Sequence, residues 1–185
     1  SSPSLHIGNA ISLAKMGEFQ ALGHEVIFLI GDFTGMIGDP TDKTAARKKL
    51  TRQEVLANAK NYKKQASAYI KFSGANPAKA MYNSKWSDKL SFKDLIEVTA
   101  NFTAQQMLAR DMFQERIKQA KPIYLHEFLY PVAQAYDSVA MDVDLEIGGN
   151  DQTFNMLCGR DLMKAMRDKE KCVLTIKLLV DSSGK

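Results

Sequence analysis

Three stretches of the chain have the hydrophobic pattern of β-strands. Residues 25–31 form a mostly apolar run of strand length, which is typical of a strand buried on both faces of a parallel sheet. Between residues 142 and 147, acidic and aliphatic side chains alternate, which predicts a half-exposed strand. Residues 173–180 are rich in β-branched and aliphatic side chains and predict a third strand.

Helical spacing of apolar residues is found between these strands. Residues 9–22 place apolar side chains near one stripe and precede Gly23, a common signal for the end of a helix. Residues 51–69 begin with the Thr and Glu of a capping box, and residues 103–119 open with a similar Thr and Gln. Because strands alternate with helices, the sequence predicts an α/β fold with a doubly wound, mainly parallel sheet.

One predicted helix, residues 125–137, carries a polar stripe. Tyr130, Gln134 and Asp137 are spaced i, i+4 and i+7, so they share an arc of roughly 60°. Pro131 predicts that the helix either starts there or is kinked. The opposite side carries Leu125, Phe128, Leu129, Val132 and Tyr136. A surface helix with a solvated polar face is one interpretation. A phenol and a single amide are poor solubilising groups, however, which favours a binding face.

Length and composition limit the class of protein. The chain has 185 residues, 45% of them hydrophobic and 25% charged, which is the balance of a single globular domain with a core. No run approaches the ~18 apolar residues of a membrane span. Two cysteines make neither a disulfide framework nor a metal quartet, so the sequence predicts a protein of the reducing cytoplasm.

The net charge of +4 is unevenly distributed. The segment from Lys43 to Lys64 holds eight basic residues and one acidic residue, whereas the rest of the chain has a net charge of −3. Such a segment is typical of a contact with a polyanion, and a solvated, lysine-rich helix face explains it equally well.

Residues 4–9 form a candidate phosphate site just before the first helix. The unpaired amides of a helix N-terminus attract phosphate, and Gly8 lets a ligand approach the backbone. His6 and the side-chain amide of Asn9 are both able to donate hydrogen bonds to phosphate oxygens. This motif is weak evidence by itself.

Two glycine-containing loops, residues 31–40 and 147–152, follow predicted strands. Ligands bind beyond the carboxyl ends of strands in an open parallel sheet. Gly148 and Gly149 are expected to admit a flat group such as a ribose, and Asp151 to cap the next helix or accept from ribose hydroxyls. Ordinary turn chemistry explains any one of these glycines equally well.

Taken together, residues 5–9, 34–40, 130–137 and 147–152 resemble the motifs of bacterial tyrosyl-tRNA synthetases, which are class I aminoacyl-tRNA synthetases. The resemblance covers nearly the whole chain, with the motifs in family order. It implies a Rossmann-like catalytic domain with a helical connective insertion at about residues 84–135.

The resemblance also implies roles for individual residues. His6 and Asn9 match the class I catalytic signature, in which Asn9 replaces a second histidine. The implied ATP-binding residues are His6, Gly8, Asn9, Ser12, Gly149 and Asp151. The implied tyrosine-binding residues are Asp39, Tyr130, Gln134, Asp137 and Gln152, of which Asp137 accepts from the substrate phenol. Lys43 and Arg47 match basic residues near the tRNA acceptor end. Glu146 stands where the family often has glutamine.

The implied reaction is the ATP-dependent activation of tyrosine and its transfer to tRNA(Tyr). ATP enters as a substrate with Mg²⁺, and no prosthetic group or resident metal is implied. The family also implies a homodimer, with an interface near residues 120–128, and no membrane association. Family members carry an N-terminal strand, a mobile lysine-rich loop and an anticodon-binding region that this sequence lacks. The fragment itself is therefore expected to be nearly inactive.

Two other functions remain open at this point. A tryptophanyl-tRNA synthetase shares the fold and the His-Ile-Gly signature, but the phenol-recognising set of Tyr130, Gln134 and Asp137 argues against it. A synthetase-like RNA-binding module that has lost catalysis would suit the basic segment, and Asn9 is the feature in its favour.

Overall fold

A computed structural model of the chain describes residues 4–5, 7–41, 50–177 and 179. Its four described strands form two parallel pairs. They are β1 (Ile27–Ile30), β2 (Lys79–Tyr82), β3 (Leu145–Gly149) and β4 (Cys172–Ile176). In the first pair Ile27 lies opposite Lys79, and in the second Leu145 lies opposite Cys172.

Helices connect and cover these strands, some in regions where the spacing of apolar residues predicts them and some elsewhere. They are α1 (Ile7–Ala21), α2 (Thr34–Ile37), α3 (Arg52–Ala59), α4 (Tyr62–Ala66), α5 (Ser84–Ser87), α6 (Phe92–Thr99), α7 (Ala104–Leu108), α8 (Asp111–Lys118), α9 (Leu125–Met141) and α10 (Thr153–Arg167). A 3₁₀ turn, Asn150–Gln152, joins β3 to α10. Parallel strands linked through helices make this a Rossmann-like α/β fold, which confirms the predicted fold class.

Two predicted helices are each divided in the structure. The 51–69 prediction becomes α3 and α4, and the 103–119 prediction becomes α7 and α8. The second division lies at Arg110, whose backbone is extended, with φ −65° and ψ 136°. The predicted start of α7 is correct, because the amide of Gln106 donates to Thr103 Oγ1 at 3.1 Å. Apolar spacing located both regions but did not detect the break within each.

Strand β2 was not predicted. It contains four residues, among them Lys79 and Ala80, so neither alternation nor β-branched content marks it. Its pairing with β1 stabilises it instead. Pro131 lies inside α9 and does not begin it, so the first of the two alternatives for that proline was wrong.

The larger hydrophobic core lies between α9 and α10, where Val132, Ala135 and Val139 pack with Cys158 and Leu162. Leu125 was expected on the same apolar side but is 81% exposed. It is the first residue of α9, and the first buried side chain of this helix is that of Glu127. A second core joins α1 to the β1–β2 pair.

A cavity of about 700 Å³ separates the two strand pairs. Consecutive residues 24–29 and 141–147 line it, so it follows β1 and β3 along their edges. Helix α1 lines it from Asn9 to Phe19, and α9 forms part of the wall. Within the part of the chain that the structure describes, no helix is both long and apolar enough to cross a membrane.

Candidate active site

The cavity brings together residues from two of the sequence motifs. Asn9 and Ser12 line it from the first turns of α1, and Gln134 and Asp137 line it from α9. Asp137 is only 4% exposed. Two of the three polar-stripe residues of α9 therefore line a cavity next to a helix N-terminus. Tyr130 lies one turn earlier on α9 and is half-buried.

Asp137 is held by neutral hydrogen-bond donors. Trp86 Nε1 donates to its Oδ1 at 2.7 Å, and Asn83 Nδ2 donates to its Oδ2 at 3.1 Å. Burial raises the pKa of Asp137 to about 7, although the bonds from Trp86 and Asn83 act in the opposite direction. The charges of Glu146 and Asp32 raise this pKa further. A carboxyl group in this environment suits a neutral donor such as a phenol hydroxyl.

The supports of Asp137 were missed by the sequence analysis because they follow the unpredicted β2. Asn83 is fully buried and also accepts from the amide of Phe33 at 2.8 Å and donates to Thr34 Oγ1 at 3.0 Å. Asn83 thus ties the end of β1 to α9. Trp86 is the single tryptophan of the chain. The one signal in the sequence was this single tryptophan, because a buried indole N–H needs a hydrogen-bond acceptor.

A second polar group lies where the loops after β1 and β3 meet. Gln152 Nε2 donates to Asp39 Oδ2 at 2.7 Å and to Asp151 Oδ2 at 3.0 Å. Asn155 Nδ2 donates to Gln152 Oε1 at 3.0 Å, which fixes the orientation of the Gln152 amide. The amide of Thr41 donates to Asp39 Oδ1 at 2.9 Å. Hydrogen bonds thereby connect Asp39, Asp151 and Gln152, three of the implied ligand-binding residues, although Asp39 and Gln152 are 113 positions apart.

The two glycines after β3 serve different purposes. A Cβ added at Gly148 would lie 2.9 Å from Met156 Sδ, so the bare backbone at this position is needed for the packing of β3 on α10. Gly149 ends β3, is half-buried, and remains a predicted ATP-binding position. Asp151 does not cap α10, whose N-cap residue is Gln152 and has no side-chain cap hydrogen bond.

Gln134 is oriented by a carboxylate. Its Nε2 donates to Glu146 Oε1 at 3.0 Å, and Glu146 comes from the middle of β3. Near the same cavity, Gly8 and Asn9 lie in the first turn of α1, the end of a helix that carries a partial positive charge. His6, Lys43 and Arg47 lie outside the described residues, so their roles remain predictions.

The chain is similar to a known protein family along its whole length. The model described as "tRNA synthetases class I (W and Y)" matches residues 1–185, the whole chain. The chain belongs to this family of class I tRNA synthetases.

Curated relatives of this synthetase chain are named tyrosine–tRNA ligase. That of Haemophilus ducreyi is 46% identical over 183 residues, which are 99% of this chain and 46% of the relative. That of Syntrophotalea carbinolica is 49% identical over 183 residues, again 99% of this chain and 44% of the relative. The synthetase chain thus spans about half the length of the curated relatives it matches.

Solved structures give a consistent result. A C-terminally truncated mitochondrial tyrosyl-tRNA synthetase of Coccidioides posadasii superimposes with a TM-score of 0.81 at 27% identity, covering 100% of this chain and 58% of that one. The Archaeoglobus fulgidus tyrosyl-tRNA synthetase, solved with L-tyrosine, gives a TM-score of 0.65 at 21% identity, covering 100% of this chain and 57% of that one, and supports the fold alone.

Proposed function

We propose that the complete protein is a tyrosine–tRNA ligase, which activates tyrosine with ATP and transfers it to tRNA(Tyr). The observation that carries this proposal is Asp137, a buried carboxyl that faces a cavity and is held by neutral donors. The names of the relatives agree with it.

Selection of tyrosine is assigned to Asp137. The phenol hydroxyl of the substrate donates to its carboxylate, and phenylalanine would leave that buried acceptor without this donor. Asp39, Tyr130 and Gln134 are assigned to the substrate ammonium, and Gln152 to the substrate carboxylate. A cation is a suitable partner for Asp39, whose Oδ2 otherwise accepts from Gln152.

The first step needs no protein nucleophile. The carboxylate of tyrosine attacks the α-phosphorus of ATP, the bond to the bridging oxygen of the leaving pyrophosphate breaks, and tyrosyl-adenylate remains. His6, Asn9 and the amides at the start of α1, including that of Gly8, stabilise charge on the phosphates. Ser12, Gly149 and Asp151 are assigned to the nucleoside part of ATP. Catalysis then consists of positioning and charge stabilisation.

In the second step a 3′-terminal hydroxyl of tRNA attacks the tyrosyl carbonyl of the adenylate, the acyl–phosphate bond breaks, and AMP leaves. Lys43 and Arg47 are assigned to the acceptor end of the tRNA through phosphate contacts.

Among the described residues, no group of three or more His, Cys, Asp or Glu side chains could hold a metal ion. We therefore expect Mg²⁺ to enter with the phosphates of its substrate, ATP. A protein with this role is expected in the cytoplasm.

An additional strand is proposed between β1 and β3 in the complete protein. Both strands line the cavity along their edges, and an unpaired strand edge favours the addition of another strand. This strand would fill the space between the two edges and leave the part of the cavity beside Asn9, Gln134 and Asp137 for the substrate. The mobile lysine-rich loop, the anticodon-binding region and the connective insertion at about 84–135 are proposed on the resemblance alone. We expect the 185-residue chain to be nearly inactive where the complete protein is active.

A homodimer is also proposed, through the surface at the start of α9. Ile117, Tyr124 and Leu125 expose apolar side chains there, and Leu125 does so over 81% of its area. Arg116 fixes this surface by donating to Glu127 and to the carbonyl of Pro122. Leu125→Asp is expected to convert a dimer into monomers in sedimentation analysis, and a dimer that persists would contradict this interface.

Amino-acid-dependent exchange of pyrophosphate into ATP tests the main proposal. The complete protein should exchange with tyrosine and not with tryptophan or phenylalanine. In Asp137→Asn, the preference for tyrosine over phenylalanine should fall by roughly tenfold or more, the cost of a charged hydrogen bond. Unchanged discrimination, or exchange driven by tryptophan, would refute the assignment.

A further inference from the structure

A buried lysine lies behind the cavity wall and has no role in the proposed reaction. The side chain of Lys171 is 0% exposed, and its Nζ donates to Ser138 Oγ at 2.9 Å and to Glu146 Oε2. A buried ammonium is costly unless it is paired and hydrogen-bonded, so this placement requires both partners.

The fold makes room for this lysine. Lys171 comes directly before β4, and the amide of Cys172 donates to the carbonyl of Asp144 at 2.8 Å, which sets the two strands in register. A Cβ added at Gly159 of α10 would lie 2.6 Å from Lys171 Nζ and 2.9 Å from Ser138 Oγ. The glycine therefore leaves the space that the ammonium occupies.

Glu146 connects the lysine to the cavity. Its Oε2 accepts from Lys171 and, at 3.3 Å, from Ser138 Oγ, whereas its Oε1 accepts from Gln134 Nε2 at 3.0 Å. Gln134, Ser138 and Glu146 line the cavity. The carboxylate thus bridges a buried cation on one side and a cavity-lining amide on the other.

The chemistry of this bridge fixes which end of Gln134 meets Glu146. A carboxylate only accepts hydrogen bonds, so the NH₂ end of the amide must face it. The carbonyl oxygen Oε1 is then at the other end of the amide, where it is able to accept from a cation.

We propose that Lys171 and Glu146 are positioning residues: the lysine fixes the carboxylate of Glu146 by a hydrogen-bonded ion pair, and Glu146 holds the carbonyl oxygen of Gln134 toward the ammonium of the substrate. This inference rests on the proposed function, because it assumes an amino acid in the cavity. It explains a glutamate in β3 that the sequence analysis left without a role. It also assigns a task to a lysine that no motif contains.

The decisive variant is the pair Lys171→Met with Glu146→Gln in the complete protein. It removes both charges together, so no unpaired buried charge remains to destabilise the fold. Gln134 then loses its fixed orientation, since the new amide both donates and accepts. We expect the KM for tyrosine to rise about tenfold or more, with kcat and the KM for ATP within about twofold of the parent.

An analogue without the ammonium separates positioning from general damage. Inhibition by 3-(4-hydroxyphenyl)propionate, which lacks that group, should be unchanged in the double variant. A parallel weakening of tyrosine and analogue, or a parental KM for tyrosine, would overturn the proposal. Lys169→Met is the matched control, because Lys169 is two positions away and pairs with Asp142 and Asp144 at the surface. It should leave both constants unchanged.

Two further measurements keep the proposal testable. Should the double variant not fold, Lys171→Gln with Glu146→Gln leaves no buried charge, keeps two side chains able to hydrogen-bond to each other, and carries the same expectations. The NMR signals of the Gln134 side-chain amide report its orientation without any reaction. They should shift in the double variant but not in Lys169→Met, and unchanged signals would overturn the inference. A complete protein without tyrosine-dependent exchange would refute the proposed function while leaving this measurement to judge the orientation.

Discussion

Helix α9 contains two buried carboxylates, Glu127 and Asp137, ten positions apart and each 4% exposed. Glu127 receives two hydrogen bonds from Arg116, at 2.6 and 2.8 Å. Asp137 receives one from Trp86 and one from Asn83, both neutral donors. The two side chains thus have the same exposed fraction, but their hydrogen-bond partners differ in kind. Glu127 has a cation as its partner, and Asp137 has two neutral donors.

Their pKa values differ accordingly. Burial acts to raise the pKa of Glu127, but hydrogen bonds from Arg116 and the amide of Tyr124 outweigh it, and the pKa is lowered. For Asp137 burial prevails and the pKa is raised to about 7. The depth of burial and the charge of the partner together decide whether a buried acid stays charged: Asp137 lies deeper in the protein and meets neutral donors, whereas Glu127 meets a cation. Glu127 is satisfied by the fold, and Asp137 remains suited to a ligand.

The largest expected effect is on the Glu127 side of the comparison. Arg116→Met removes the cation and leaves a buried carboxylate unpaired, which should lower the free energy of unfolding by about 3–5 kcal/mol. Chemical denaturation measures this. Arg116→Met combined with Glu127→Gln should recover most of the loss.

A surface pair provides the control for that prediction. Arg52 pairs with Asp88 where both side chains are about one-third exposed or more, 34% and 42%. Arg52→Met should cost no more than about 1 kcal/mol. A similar cost for both arginines would mean that burial adds nothing to the Arg116–Glu127 pair.

The next effect concerns the pH dependence of stability. The pKa of Asp137 is about 7 in the folded chain and near 3.8 when unfolded, so the folded state binds the proton more tightly. The stabilisation that this proton gives is present at low pH and is lost as pH rises through 7. Between pH 5 and 8 the contribution of Asp137 to the free energy of unfolding should fall by about 2–3 kcal/mol.

Denaturation of the parent and of Asp137→Asn across that pH range measures the effect. The variant should lack this component of the pH dependence. Glu127 acts with the opposite sign, because its lowered pKa gives stability above the unfolded value that is lost as pH falls through the folded one. Identical pH profiles for parent and variant would contradict the raised pKa of Asp137.

The smallest effect concerns one donor. Trp86→Phe keeps an aromatic ring but removes the Nε1–H that donates to Asp137 at 2.7 Å. Stability should fall by about 1 kcal/mol, and by more at pH 8 than at pH 5, because an ionised carboxylate is the stronger acceptor. Circular dichroism suits this measurement, since the variant contains no tryptophan. A cost that does not change with pH would indicate lost packing only.

Local patterns predicted much of the fold. The apolar run before Gly31 marks β1, the capping boxes mark helix starts, and the i, i+4, i+7 spacing marks the polar stripe of α9. Such signals depend on residues within a few positions of each other. They failed where stability comes from elsewhere, as in β2, which depends on pairing with β1.

The same distinction between local patterns and distant contacts holds for the candidate site. The motifs identified Asn9, Gln134 and Asp137, which the structure places around one cavity. They did not identify Asn83 and Trp86, which are 54 and 51 positions from Asp137. They also did not identify the partner of Glu146, which is Lys171, 25 positions away along the chain.

By itself the sequence determined the alternation of strands and helices that defines the fold class, the polar face of α9 and the family, because each depends on residue types at short, regular spacing. Only the tertiary structure decided which acids stay charged and which way an amide points. These properties depend on burial and on the nearest donor in space, and neighbours in space are distant along the chain.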